Sequence, residues 1–148
     1  MNYRSLVQTI ARTLAAVEGV GKVHPLRRFA KNPSDVEALF VDSGKLNGWT
    51  VSRSAFTNEH IATNATHEKA HSFVIRGFFA WTETPESEIE FNEILDRIAD
   101  AFSPSSDLGE EVEIAGPIVA REIDFVQTAN TLAHYCELEF SVIELSNY

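Results

Sequence analysis

The run HSFVIRGFFAW, residues 71–81, constrains the fold more than any other stretch of this chain. It is rich in aromatic and β-branched side chains, which pack well on the pleated surface of a sheet. The side chains also alternate between two faces, at the period of an extended chain. One face carries Phe73, Ile75, Gly77, Phe79 and Trp81, and the other carries Val74, Arg76 and Phe78. The run therefore predicts a β-strand.

A helix is predicted directly after this strand. Thr84 supplies a hydroxyl N-cap, Pro85 suits the first helical position, and glutamates follow in the first turn. Apolar residues then recur at helical spacing up to about residue 102, and the sequence Ser-Pro-Ser at 103–105 ends the helix. The predicted buried stripe consists of Phe91, Ile94, Leu95, Ile98 and Phe102.

Weaker patterns predict the remaining elements. Helical spacing indicates a first helix over residues 2–18 and a short helical piece over 36–40. Ser43-Gly44 and Asn47-Gly48 bracket a predicted turn region, and if Asn47-Gly48 is a hairpin turn, a strand at 49–53 leaves it. Other short strands are predicted at residues 22–26, 112–114, 119–125 and 134–145. Residues 54–70 are polar and have no apolar period, which predicts a long mobile loop.

This order of elements predicts the fold class. Helix, strands, helix and strands follow one another along the chain, which is typical of an α+β domain. The expected architecture is a mainly antiparallel sheet with two principal helices packed on one face. With 148 residues, 44% of them hydrophobic, the whole chain is predicted to form a single domain, residues 1–148.

The charge and cysteine content exclude several classes of protein. The chain has 12 basic and 22 acidic residues, a formal net charge of −10, which disfavours a nucleic-acid binder. Its one cysteine, Cys136, excludes an internal disulfide and a thiolate zinc cluster. The N-terminal residues do not resemble a signal peptide, and no run approaches the roughly 20 apolar residues that span a bilayer. We therefore expect a soluble intracellular protein with no membrane partner.

The motif THEKAH, residues 66–71, matches the H-E-x-x-H pattern of zinc peptidases. On a helix, His67 and His71 would share a face and could bind one zinc ion, with Glu68 acting on the bound water. Glu93, on the helix predicted downstream, could supply a third ligand, as in the gluzincin peptidases. On paper these residues form a small hydrolase site.

Two observations lead us to reject this zinc site. His71 begins the predicted strand, and in an extended chain the two histidines would lie about 13 Å apart at roughly 3.3 Å per residue. Lys69 also places a charge between the histidines, where zincin helices keep none. We therefore interpret THEKAH as a loop meeting a strand, and predict no catalytic residue, no metal and no cofactor. A zinc-dependent hydrolase remains an alternative.

Three further features have plain structural interpretations. Cys136 and His134 share a strand face and could pair as thiol and base, but a buried apolar cysteine fits this strand better. Trp49 and Trp81 could stack on a ligand, yet strand tryptophans beside β-branched residues are usually core. The acidic residues of the helix at 86–100 are scattered around it and are typical of a solvated face.

The sequence as a whole resembles a known family. The quoted pieces are WTVSR, a variable polar loop, HSFVIRGFFAW, TPESEIEFNEILDRIADAF and HYCELEFSVIEL. From about Trp49 onward this order is similar to the tail-terminator, or tail-completion (minor tail), proteins of long-tailed bacteriophages and prophages. That resemblance implies an α+β subunit, six copies of which close a ring on the tail tube. The ring stops tube polymerisation and joins the tube to the head connector.

The resemblance also implies partners and a location. The partners would be other copies of the chain, the tail-tube protein and the head-connector protein, while DNA passes through without specific binding. The protein would be found in the virion tail, and in the host cytoplasm during assembly. The predicted partner contacts lie in the polar segment, at Asn58, Glu59, His60, His67 and Glu68. We further predict that acidic residues such as Glu137 and Glu139 line the lumen or a subunit rim. A generic α+β binding domain is the remaining alternative.

Overall fold

A computed structural model describes residues 2–28, 33–60, 66–103, 108, 112–128 and 131–147. For residues 33, 36, 37, 58–60, 66–68, 128, 131 and 145–147 it describes the backbone only. There are three helices and seven strands in these ranges. They are α1 (Tyr3–Ala15), β1 (Lys22–His24), α2 (Pro33–Phe40), β2 (Val41–Asp42), β3 (Lys45–His60), β4 (Thr66–Ala80), α3 (Pro85–Ala101), β5 (Val112–Ile114), β6 (Val119–Thr128) and β7 (Thr131–Asn147).

The seven strands form one sheet. Its main order is β1-β3-β4-β7-β5, with β2 also pairing with β3 and β6 also pairing with β7. Every pairing is antiparallel except that of β1 with β3. The predicted α+β class with a mainly antiparallel sheet is therefore confirmed. Among the described residues, no helix combines the length and apolar character needed to cross a membrane.

The centre of the sheet is built around the contact between Trp49 and Gly77. These two residues are directly opposite each other on β3 and β4, and Trp49 is fully buried. A Cβ atom on Gly77 would lie 2.3 Å from the Trp49 ring, so only glycine leaves room for the indole. The predicted strand over residues 71–81 is confirmed as far as Ala80, within a β4 that begins earlier, at Thr66, and its glycine is explained by the aromatic residue beside it.

Most of the buried apolar side chains belong to one cluster. It joins residues of α1 and α3 to residues of β3, β4 and β7. The predicted stripe of α3 is buried throughout: Phe91, Ile94, Leu95, Ile98 and Phe102. A second, smaller cluster combines Phe40 of α2 with Leu46 of β3 and Ala133 of β7. The apolar residues predicted to be buried on α1 and α3 therefore do pack against strand residues.

The predicted hairpin turn at Asn47-Gly48 is wrong. These residues lie within β3, and the turn is at Ser43-Gly44, where both residues have positive φ, 54° and 77°. Asn47 instead uses its side chain to hold the preceding segment, since its Oδ1 accepts from the Gly21 N–H at 3.0 Å. Gly48 is needed because a Cβ there would lie 2.3 Å from the Phe40 ring. Asn47 therefore serves side-chain hydrogen bonding and Gly48 serves close packing, although both are residue types that favour turns.

The predicted long loop over residues 54–70 is also wrong for most of its length. β3 continues to His60 and β4 begins at Thr66, and the two pair up to His60↔His67. Residues 61–65 lie outside the described residues. β7 flanks β4 on its other side as far as Thr66↔Asn147. We call the paired segments 54–60 and 66–72 the hairpin arm. In the hairpin arm, β4 forms backbone hydrogen bonds with β3 on one side and with β7 on the other. Any residue can supply these backbone groups, so the arm needs no periodic apolar side chains.

Candidate functional site

The THEKAH motif lies in the hairpin arm and is a strand rather than a helix. The His71 side chain is buried, and its Nε2 lies 3.3 Å from an oxygen of Glu144. Its Nδ1 lies 3.5 Å from the Arg53 guanidinium. The ring therefore fits the tautomer in which Nδ1 accepts from arginine and Nε2 donates to the carboxylate. Both ring nitrogens already have protein partners.

The other residues of the rejected zinc site are not arranged around His71. His67 lies four residues before His71 on the same strand, a backbone separation of roughly 13 Å at 3.3 Å per residue. Glu93 is exposed on α3 and pairs with Arg97 at 3.6 Å. Among the described residues, no three side chains of His, Cys, Asp and Glu are placed to hold one metal ion. The zinc alternative lacks the helical geometry that it requires.

Burial and hydrogen bonding together set the protonation states of His71 and Glu144. Burial lowers the pKa of His71 from its ordinary 6.5, and the hydrogen bond that His71 donates to Glu144 opposes that shift only in part. Burial alone would raise the pKa of Glu144, but hydrogen bonds, including the one from His71, bring its pKa below the ordinary value of 4.5. At neutral pH the pair is a neutral imidazole donating to a carboxylate, which ties β4 to β7.

A second buried histidine pairs with a hydroxyl that the sequence did not single out. His134 Nε2 lies 2.9 Å from Ser87 Oγ, and the backbone N–H of Thr82 donates to the same oxygen at 3.1 Å. A cleft of about 260 Å³ lies beside them, lined in part by Trp81 and Phe125. Ser87 and His134 are 47 positions apart, so no local pattern could have linked them.

The Ser87–His134 pair has the residue types of a nucleophile and its base, but its environment favours a structural role. Both side chains are buried, and the His134 ring stacks on Phe91 with centroids 5.4 Å apart. Burial also lowers the pKa of His134 from 6.5. The bond thus fastens the first turn of α3 to β7. Cys136 bonds with neither residue among the contacts described, and burial raises the pKa of its thiol to about 12, so it is a core residue as predicted.

Strand β6 carries exposed apolar side chains on the described surface. This strand pairs only with β7 among the described strands, so its outer backbone edge is open. Three apolar side chains on it are about half exposed, Val119 at 55%, Ile123 at 51% and Phe125 at 49%. The phenylalanine borders the cleft and its ring is 5.3 Å from that of His134. An exposed apolar edge strand is a template for pairing with another chain.

A second open edge lies on the hairpin arm. β1 and β2 cover the outer side of β3 only as far as Thr50, and no described strand pairs with it beyond that residue. Phe56 is exposed there, with the Arg53 guanidinium 4.4 Å from its ring centroid. The same guanidinium lies 4.7 Å from the ring of Tyr3. This edge therefore presents aromatic surface together with a cation.

The predicted contact residues lie at the end of this arm. Their backbones are paired as Asn58↔Lys69, Glu59↔Glu68 and His60↔His67. The structure thus brings the five residues to one place on the backbone, although in a ladder rather than in a loop.

The two acids predicted to line a lumen have arginine partners. Arg76 Nε donates to Glu137 at 3.2 Å, and Arg121 Nη1 donates to Glu139 at 2.9 Å. The Tyr135 hydroxyl also donates to Glu137, and this bond, with the nearby arginines, lowers the pKa of that carboxyl. These acids therefore contribute less negative potential than their number suggests.

Comparison of the chain with known protein families and with curated proteins gave no match.

Proposed function

We propose that the protein is a structural tail-terminator subunit of a long-tailed phage or prophage. Six copies would form a ring that caps the tail tube and joins it to the head connector. The observation that carries this proposal is the open, apolar edge of β6, with Val119, Ile123 and Phe125 half exposed. These residues are only partly buried in their own subunit. Contact with a neighbouring chain would bury the rest of their apolar surface. The resemblance of the sequence to tail terminators is the reason for proposing a tail ring as the assembly.

The arrangement of helices supports a subunit built in layers. Trp49 and Gly77 face each other on the side of the sheet that also buries Ile10 of α1 and Ile94 of α3. We infer that α1 and α3 cover this face, and that α2, through Phe40, covers the opposite one. The sheet edges are then the surfaces left for neighbouring subunits, which is the geometry a ring needs.

The charge distribution supports passage of DNA without binding. The net charge of −10 repels a polyanion, and no counterions would be released on contact with phosphates. All six acids of α3 are exposed: Glu86, Glu88, Glu90, Glu93, Asp96 and Asp100. Such a surface is compatible with a conduit through which DNA passes. The proposed locations are the virion tail and, during assembly, the host cytoplasm.

We propose a role in assembly rather than in catalysis. The zinc hydrolase requires a helical H-E-x-x-H segment, and here that segment is a strand in which His71 is bonded to Glu144. A generic α+β binding domain stays the second candidate, because the same open edges would serve any protein partner.

Native mass spectrometry of the purified protein, supplied with zinc and then desalted, tests the proposal. One spectrum reports both the number of copies and the bound metal. A metal-free hexamer is the expected result. A monomer that retains one zinc ion would overturn the proposal in favour of the hydrolase. A metal-free protein that stays monomeric at every concentration would contradict the ring.

A further inference from the structure

We infer that the contact between neighbouring copies is head to tail: the β6 edge of one copy pairs with the β3 edge, residues 51–60, of the next. This inference rests on the proposed ring and names the surfaces that form it. Both edges lack a strand partner among the described residues, and both expose aromatic side chains. The two open edges belong to opposite sides of the sheet, so one copy can use both at once.

The positions of the open edges suit a continuous sheet across two copies. β6 lies along the half of β7 from Thr131 to Glu139, and a bulge between Ala120 and Glu122 interrupts it. The regular part of its edge therefore begins at Glu122. β3 has its own irregularity between Arg53 and Ala55, after which pairing is regular to His60. Each edge thus offers about six or seven regular residues, close to the usual length of a strand.

The exposed side chains are compatible across such a contact. On β6, Ile123 and Phe125 are opposite Cys136 and His134 of β7, which places them on the face buried by α3. On β3, Phe56 is opposite His71, whose ring is 6.1 Å from that of buried Phe73, and so lies on the same face. Joining the two edges in one sheet would therefore set apolar residues against an aromatic one.

Charge distinguishes this contact from pairing between two β6 strands. β6 carries Glu122 and Asp124, and its Arg121 is paired with Glu139 of β7, so two antiparallel copies of β6 would bring four carboxylates together. Like charges on facing strands are destabilising. The β3 edge carries Arg53 and Glu59, and so has no net charge.

The surroundings of the two edges have opposite charge. Residues 2–28, which form α1 and β1 beside the β3 edge, contain five basic residues and one acid: Arg4, Arg12, Lys22, Arg27 and Arg28 against Glu18. The cleft bordered by Phe125 of β6 is lined by Glu83 and Glu88. A basic side facing an acidic side favours the head-to-tail arrangement and disfavours the symmetric one. A head-to-tail contact repeats from copy to copy and can close a ring.

Two variants, each blocking one edge, test this contact. Ile123→Lys places a cation on β6, and Phe56→Lys places a cation on the β3 edge, on the face where it would meet Ile123 and Phe125. Both replaced side chains are about half exposed, so the fold should be kept. Ile89→Lys, on the exposed side of α3, is a matched control with 56% exposure. Native mass spectrometry and sedimentation would be run on each protein and on the 1:1 mixture, with circular dichroism as the check on folding.

The head-to-tail contact predicts a specific set of results. The control variant assembles like the wild type, and each edge variant alone is monomeric, with association weakened at least about tenfold. The mixture forms a one-to-one dimer and nothing larger, because only one intact pair of edges remains.

Three other results would overturn the inference. If Phe56→Lys alone still forms dimers while Ile123→Lys does not, the contact is symmetric, between two β6 strands. If both variants form the same ring as the control, the ring stands but uses other surfaces. If the wild type itself is monomeric at every concentration, the proposed ring fails together with the contact.

Discussion

β4 and β6 have similar compositions and opposite environments. Both strands are rich in β-branched and aromatic residues. In β4, flanked by β3 and β7, Phe73, Val74 and Ile75 are fully buried. In β6, which has only β7 beside it among the described strands, Ile123 and Phe125 are half exposed. The packing of the subunit therefore explains the side chains of β4 and leaves those of β6 half exposed.

Under the proposed function, β4 serves the fold of the subunit and β6 serves assembly. In β4 a change of one methyl group meets close-packed atoms, so stability should respond strongly. In β6 the same kind of change meets solvent, so stability should hardly respond and association should. Substitutions in the two strands can confirm or contradict this division.

The largest effect is expected for Gly77→Ala in β4. The added Cβ would lie 2.3 Å from the Trp49 ring, so the free energy of unfolding should fall by about 3 kcal/mol. Urea denaturation measures this. In a Trp49→Leu background the indole is gone and the same substitution should cost much less. Equal costs in both backgrounds would show that the ring contact is not the cause.

The next largest effect is expected for His71→Leu. It removes a hydrogen bond to the buried carboxylate of Glu144, which should lower the free energy of unfolding by about 2 kcal/mol. Adding Glu144→Leu should recover part of this loss, because the pair is then replaced by apolar groups. A double variant as unstable as the sum of the two single variants would contradict a coupled pair.

Stability should also fall in mild acid. Burial holds the pKa values of His71 and His134 below 6.5 in the folded state. Below pH 6.5 the unfolded chain therefore binds more protons than the folded protein does. Stability is therefore full above pH 6.5 and decreases as the pH drops from there through the folded pKa values. Urea midpoints at about pH 7.5 and about pH 5.5 measure the fall, above the range where Glu144 protonates. His71→Leu should remove part of it; an unchanged fall would assign the effect to other groups.

The smallest effect on stability is expected for Ile123→Lys in β6. Its side chain is half exposed, so the free energy of unfolding should change by no more than about 0.5 kcal/mol. Urea denaturation of dilute protein, below the concentration at which copies associate, measures this. A loss as large as that of Gly77→Ala would mean that β6 serves the fold of its own subunit.

Local patterns predicted the elements whose residues contact a single continuous face. The stripe from Phe91 to Phe102 and the alternation from Phe73 to Phe79 are periodic because one face of each element packs into the same apolar cluster. Predictions from the sequence were wrong where side-chain hydrogen bonds, close packing or backbone pairing determined the structure. Asn47-Gly48 has the residues of a turn but serves side-chain bonding and packing, and the hairpin arm is held by backbone pairing that leaves no periodic trace.

By itself the sequence determined the α+β class, the helix α3, the strand β4 and the burial of Cys136, because local periodicity records which side of a segment meets the core. Only the tertiary structure decided that Ser87 meets His134, that His71 meets Glu144, and that β6 lies at an open edge. These depend on contacts between residues 47 and 73 positions apart, or on which strands have neighbours. Periodicity carries no such information, since an apolar strand has the same pattern whether its own subunit or a neighbouring one covers it.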